Sequence, residues 1–466
     1  MKFAKAPCLL GVSWLFLAAP AKANGAFPEV SQLVADPSDR THLILRSNFG
    51  LLTTNDTGQN WDLICEAGIG YQNIEPPVAL LDDGTTIAAL ASGIAQADAR
   101  SCNFTLASGA NAYIADVSRI PGSNGHAVAV SSDLTAYVAQ VWQSSDSGAT
   151  WTALGTPLTN LNAATLDVAA DDANIVYVSG SSQDDAPNGV LARSADGGQT
   201  WTTYTVPGTN KVSAPYIGAV SPSDHQTVYV RLSGTPGQLY VTHDGGAHFE
   251  LALSFNGPFD GFALSPDERF TLASGRSDGV WRADTSTLAF EHLSCAKIRS
   301  LSWSESGLFA SADEFEAGFL VGQSSNQGLT FDPLLHLSCL RGPLDCAAST
   351  SVGSVCPEAW PAISEQLGTD CASAGSFVPS TQCRDAGAPD SDASSSTDAG
   401  DGEPPSTITS LQRNALRPHG GCSCRIDSTA RTPASWLWLI PLGLCGARHL
   451  RRKKPVVTQD RTRRVA

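Results

Sequence analysis

The sequence predicts an all-β fold, a seven-bladed β-propeller with a small Cys-rich cap and a disordered stalk. Three observations carry this. A short motif recurs in phase along the chain, its spacing fits a four-stranded unit, and the segments between its copies alternate apolar and polar residues at a period of two. Five octapeptides read alike. They are Thr54–Trp61, Ser144–Trp151, Ser194–Trp201, Thr242–Phe249 and Ser324–Phe331, with the shared pattern S/T-x-D-x-G-x-T-W/F. The intervals between their third residues are 90, 50, 48 and 82 residues. Two are near a single repeat and two near a double one. Degenerate copies are expected at Arg100–Phe104 and at Arg282–Phe290, which makes seven units of 40 to 50 residues, the length of a four-stranded blade.

Each unit follows one strand plan. A short apolar strand leads into a turn rich in Asp, Ser and Pro, as at Ala35–Asp39, Val220–Asp224 and Leu264–Asp267. An alternating strand follows, such as Thr227–Leu232. A third strand enters the octapeptide and a fourth leaves it. Between the ends of the repeat region no window carries a helical stripe.

The octapeptide residues have definite roles. Asp56, Asp146, Asp196, Asp244 and the isosteric Asn326 accept backbone N–H bonds across a tight turn. Gly58, Gly148, Gly198, Gly246 and Gly328 supply the positive φ that other residues resist. Trp61, Trp151, Trp201, Phe249 and Phe331 bury a large ring at a blade seam. On these residues the chain resembles the Asp-box (BNR) repeat of the sialidase and sortilin-like propellers. The resemblance covers the seven units, about two-thirds of the chain. It implies that these aspartates are structural, on outer hairpins away from the axial face where such propellers bind ligands.

The chain begins with Lys2 and Lys5, an apolar run from Pro7 to Pro20 and a small-x-small site at Ala21–Ala23, the order of a secretory signal peptide over residues 1–24. The propeller is placed at 25–337, the cap at 338–383, an Asp/Ser/Gly/Pro linker at 384–418 and a C-terminal sorting signal at 419–466. That last segment reads as Cys422-Ser423-Cys424, an apolar run from Ala434 to Ala447, and a basic cluster from Arg448 to Lys454. It resembles the tripartite sorting domain of myxobacterial surface proteins. The resemblance implies that envelope sorting machinery processes the chain or anchors it at Cys422 or Cys424. The protein is then expected at the cell surface or outer membrane of a Gram-negative, myxobacterium-like bacterium, held at the membrane by this segment.

Export agrees with the cysteines. Cys65, Cys102, Cys295, Cys339, Cys346, Cys356, Cys371 and Cys383 form an even set with no zinc-type pairing, the mark of disulfides in an oxidising compartment. Cys65 with Cys102 is the preferred pair, joining neighbouring blades; the other six leave fifteen connectivities open. Outside the first 24 and the last 19 residues, 18 cations stand against 44 acids, and the only lysines are Lys211 and Lys297. Such a surface repels nucleic acid, so no nucleic-acid partner is expected.

Catalytic and metal motifs are absent: there is no HExxH, no G-x-S-x-G and no P-loop. His243 and His248 flank an octapeptide turn and are expected to be solvated. No cofactor is expected. Arg119-Ile120-Pro121 matches an Arg-Ile-Pro tripeptide of sialidases, whose arginine grips a substrate carboxylate. Here it follows the first octapeptide instead of preceding it, and reads as a chance match. Asp82-Asp83, Asp184-Asp185 and Asp313-Glu314 are acid pairs on predicted loops that could face the axis, as paired glycosidase carboxylates do. The reading is therefore a surface binding protein for an extracellular protein or glycan, without catalysis. The alternatives are a secreted glycoside hydrolase of the sialidase or xyloglucanase kind, marked by clustered axial carboxylates or an arginine triad, and an envelope assembly factor with an arginine-lined face.

Overall fold

The computed structural model describes residues 29–371, apart from 72–74, 184–187, 210–213, 233 and 369–370. Residues 1–24, 384–418 and 419–466, expected to be a signal peptide, a linker and a sorting signal, lie outside the described residues, with Cys383, Cys422, Cys424, Asp184 and Asp185.

Seven four-stranded antiparallel sheets form the propeller. Blades 1 to 7 occupy residues 30–65, 78–106, 114–159, 161–205, 215–254, 261–294 and 298–335. Each is a meander of four consecutive strands, the first innermost and lining the axis. The second and third strands are buried on both faces, as in Leu43–Ser47 and Gly50–Thr54. Fourth strands of blades 2 to 7 are exposed at alternate residues or more, as in Thr202–Thr205, whereas that of blade 1, Asp62–Cys65, is covered by the segment after blade 7. This gradient follows from blade stacking, in which only the outermost strand meets water.

The five octapeptides share one hydrogen-bond pattern. The hydroxyl of the first residue accepts from the glycine N–H at 2.8 to 3.1 Å and donates to Oδ1 of the third residue. That Oδ1 also accepts the N–H of the seventh residue at 2.9 Å in all five. Each glycine has φ between +80° and +110°. Each also lies at a blade seam, because a Cβ there would meet the preceding blade. The contact would be Leu334 at Gly58, Ile87 at Gly148, Leu154 at Gly198, Tyr204 at Gly246 and Leu272 at Gly328. The glycine is therefore required twice, for its backbone angle and for the close approach of its neighbour. The residue before it also has positive φ, and it is glycine only at Gly197 and Gly245; Thr57, Ser147 and Gln327 hold φ of 57° to 59°. Left-handed backbone costs an L-residue about 1–2 kcal/mol, so Thr57→Gly is expected to raise stability by up to ~1 kcal/mol, less its added unfolded-state entropy. An unchanged or lower midpoint in chemical denaturation would refute this.

The two degenerate units keep the hairpin without the motif. In blade 6, Ser286 donates from its N–H and hydroxyl to Asp284. In blade 2 the turn holds Cys102, which is tied to Cys346.

Blade 1 and blade 7 are each complete in sequence, so no strand is shared between the chain ends to close the ring. Closure falls to side chains and to the segment after blade 7. Ser300 and Ser311 donate their hydroxyls to the Ser31 carbonyl at 2.5 Å, and Arg299 pairs with Glu29. Residues 341–344 then run along the outer edge of blade 1, where Pro343 bridges Leu63 in parallel and Arg341 pairs with Asp62. The helix Ser351–Leu367 follows, capped by Thr350 and buried through Val352, Cys356 and Leu367.

This corrects one expectation. The Cys65–Cys102 pair does not form: Cys65 bonds Cys356 and Cys102 bonds Cys346. The capping segment runs between the two blade cysteines, and each bonds to it instead of to the other. Its 17-residue helix was not read from the sequence, because Pro357 and Pro361 lie inside it and its apolar face is narrow. Cys339 bonds Cys371, and Cys295 is also disulfide-bonded.

Candidate functional site

A cavity of about 840 Å³ runs along the propeller axis, within the size range of small-molecule pockets. Its wall comes from the innermost strands and the connections leading into them. Four arginines (Arg46, Arg119, Arg231, Arg299) and four carboxylates (Glu75, Asp116, Asp167, Asp260) line it. The acidic excess of the whole chain thus does not extend to the axis. A local balance of this kind cannot be read from composition.

The arginines come from different positions in the blades. Arg46 and Arg231 are the penultimate residues of second strands, Leu43–Ser47 and Val228–Leu232. The other five blades carry Ala89, Ser132, Ser181, Ser274 and Ser311 there. Arg299 is the second residue of the first strand of blade 7, Ile298–Ser304, at the same end of the axis. Arg119 ends the first strand of blade 3, opposite the start of its neighbour, and so lies at the other end, with the octapeptide turns. It bonds Asp82 at 2.7 Å. The Arg-Ile-Pro tripeptide therefore does not join the other three arginines.

The arginines also differ in their partners. Arg299 pairs with Glu29 and Asp313. Arg46 donates to the Glu75 carbonyl at 2.8 Å and to Gln32 at 3.1 Å, and its buried Nε has no partner. Arg231 lies over the Tyr216 ring, 4.9 Å from its centroid, and donates to the Phe259 carbonyl at 3.5 Å. That bond is at the limit of a hydrogen bond. Burial lowers the pKa of both Arg46 and Arg231, although an arginine remains charged in any case.

The carboxylates are committed to the fold. Asp116 accepts the Val117 and Leu166 N–H groups at 2.9 Å, pinning blade 3 to blade 4. Burial pushes its pKa up to about 7 against these bonds. Asp167 accepts from Val168 and from the Ser118 hydroxyl, and burial raises it also. Asp260 is gripped by Arg276 through its N–H, Nε and Nη2, at 2.8, 3.2 and 3.2 Å. Glu75 is raised by burial.

The acid pairs named from the sequence are elsewhere. Asp82 holds Arg119, and Asp83 takes the Ser147 hydroxyl at 2.5 Å. Asp313 caps a short helix, and Glu314 bonds His336 at 2.9 Å. None of the four lines the cavity. His243 and His248 are exposed, His248 on Asp244 at 2.6 Å. Among the described residues no cluster of three or more His, Cys, Asp or Glu could hold a metal, and no helix is long and apolar enough to cross a membrane.

The class defined by this geometry is a disulfide-bonded, seven-bladed β-propeller with a polar axial cavity, and its disulfides mark it as exported. No family model and no curated protein matches the sequence. Solved structures share the fold at low identity. An ancestral GH74 enzyme is 15% identical with a TM-score of 0.49, over 66% of this chain and 46% of the enzyme, so the chain spans about half of that protein's length. Kuenenia stuttgartiensis hydrazine synthase is 11% identical with a TM-score of 0.49, over 66% of this chain and 99% of that one. U3-55K is 13% identical with a TM-score of 0.47, over 62% and 90%.

Proposed function

We propose that this chain is an exported binding protein of the Asp-box type, tethered at the cell surface by its C-terminal segment, which takes an extracellular ligand at its axial cavity without hydrolysing it. One observation carries the choice of binding over catalysis. Three of the four cavity carboxylates already hold backbone or arginine partners, as a fold-building group does and a free acid–base pair does not. The tether rests on the sequence of residues 419–466.

The hydrolase reading draws on Asp116, whose pKa of about 7 suits a general acid. Both of its oxygens accept N–H bonds, however, and protonating either one removes an acceptor. The test is a glycan array beside a fluorogenic glycosidase panel, run on the secreted protein. Binding without turnover is expected. Turnover that collapses in Asp116→Asn would make the chain a hydrolase.

A further inference from the structure

We infer that Arg231 is the recognition point of the axial cavity, and that it takes a small organic anion whose carboxylate or phosphate seats on its guanidinium. This rests on the binding reading above and names the ligand chemistry.

The inference begins with charge. Among the described residues, no carboxylate lies within the 4.0 Å ion-pair distance of Arg231. The nearest candidate is Asp260, at the same mouth, and its carboxylate is chelated by Arg276. Arg231, Arg276 and Asp260 together therefore leave one positive charge uncompensated. Arg299 is different, because two carboxylates answer it.

Next comes position. Ser132 and Ser311, at the equivalent place in other blades, each bond the innermost strand of the next blade through a hydroxyl. Arg46 makes the same kind of link with a short bond to the Glu75 carbonyl. A structural pin thus needs only a serine, and Arg46 serves as one. Arg231 reaches for the equivalent carbonyl of Phe259 but meets it only at 3.5 Å. Among the described residues its Nε and Nη2 have no hydrogen-bond partner, and the part-exposed side chain lines the cavity.

A cationic fork with free donors, stacked on an aromatic ring and half-removed from water, matches the bidentate geometry of a carboxylate or phosphate. Tyr216 fixes the plane of the guanidinium, and cation–π stacking leaves its in-plane donors free. The cavity is large enough for the organic body attached to the anion.

The experiment is calorimetric titration of the intact secreted protein at about 0.15 M salt, where exposed charges are screened. The probes are sodium glucuronate, glucose 6-phosphate and neutral glucose. Saturable binding of at least one anionic probe is expected, with glucose at least tenfold weaker. The stronger anion identifies carboxylate or phosphate as the preferred group. Arg231→Gln is expected to weaken the anion at least tenfold, and Arg231→Lys, which keeps the charge but not the fork, several-fold. Arg282→Gln, at an arginine outside the cavity that pairs with Glu291, is expected to leave binding unchanged. Circular dichroism checks that each variant is folded; if Arg231→Gln is not, Arg231→Lys decides. Equal affinity for anion in wild type and the Arg231 variants, or for glucose and glucuronate, would overturn the inference while leaving a binding protein. Absence of all three probes from the cavity overturns it also. Turnover of a glycoside would instead sink the binding reading, with the role of Arg231 still judged by the affinities.

Discussion

Replacing Cys65 and Cys356 together by serine is expected to lower stability by about 2–5 kcal/mol. The bond closes a loop of 291 residues, near the long end of what a disulfide can constrain. Among the described residues the other covalent tie between blades 1 and 2 and the capping segment is Cys102–Cys346, which spans 244 residues and joins that segment to blade 2. Many propellers close by sharing strands between the chain ends; here each blade is sequence-local. The stapled segment therefore carries the load that a shared strand would carry. Cys65 is 2% exposed and Cys356 fully buried, so serine also places two hydroxyls in an apolar site. At roughly 2–4 °C per kcal/mol or somewhat less for a unit of this size, the midpoint falls by several degrees. Differential scanning calorimetry of the double variant checks this. A shift under one degree would mean that the serine links and the Arg299–Glu29 pair close the ring unaided.

The fold was legible because its signal repeats. Asp146, Gly148 and Trp151 recur in chemistry and spacing, and the spacing alone implies seven units even where blades 2 and 6 lack the motif. The disulfide partners were not legible. Cys65 and Cys102 lie on adjacent blades, and only the path of a later segment decides that each turns to it. The cavity was less legible still. Arg46 and Arg231 sit in ordinary alternating strands, and their strand register brings them to the axis. One signal was present: a charged residue at a position that five sibling units fill with Ala or Ser. Reading it requires aligning the repeats by strand, not by octapeptide. The acid pairs misled for the opposite reason. Asp82-Asp83 and Asp313-Glu314 stand out in the sequence, yet their carboxylates serve turns, caps and neighbouring arginines.

Thermal stability is expected to be higher at pH 5 than at pH 8, which is unusual for so acidic a chain with carboxylates in so many turns. Asp116 is the cause. Its folded pKa of about 7 lies above the unfolded value of roughly 3.9. Between these values the folded state binds more protons than the unfolded one, so stability falls as pH rises, and the loss is complete above pH 7. About three pH units at roughly 1.4 kcal/mol each bound this at ~4 kcal/mol, reduced by whatever water enters the cavity. Asp167 and Glu75 are raised by burial and act in the same direction. The octapeptide aspartates act in the other. Hydrogen bonds to Thr200 bring Asp196 down to about 2, and Asp56, Asp146 and Asp244 are lowered too. Their stabilisation is present above about pH 4 and is lost as pH falls towards 2. The two sets leave a maximum between about pH 4 and 6. Asp116→Asn is expected to flatten the fall between pH 5 and 8, since an amide does not titrate, while losing one of the two accepted N–H bonds at every pH. The same protonation bears on recognition: with Asp116 neutral, four arginines face three carboxylates on the cavity wall, so anion affinity at Arg231 is expected to rise as pH falls from 8 to 5. A wild-type midpoint that rises as pH is raised from 5 to 8 would show that Asp116 stays ionised within the channel, and would remove the reason for both trends.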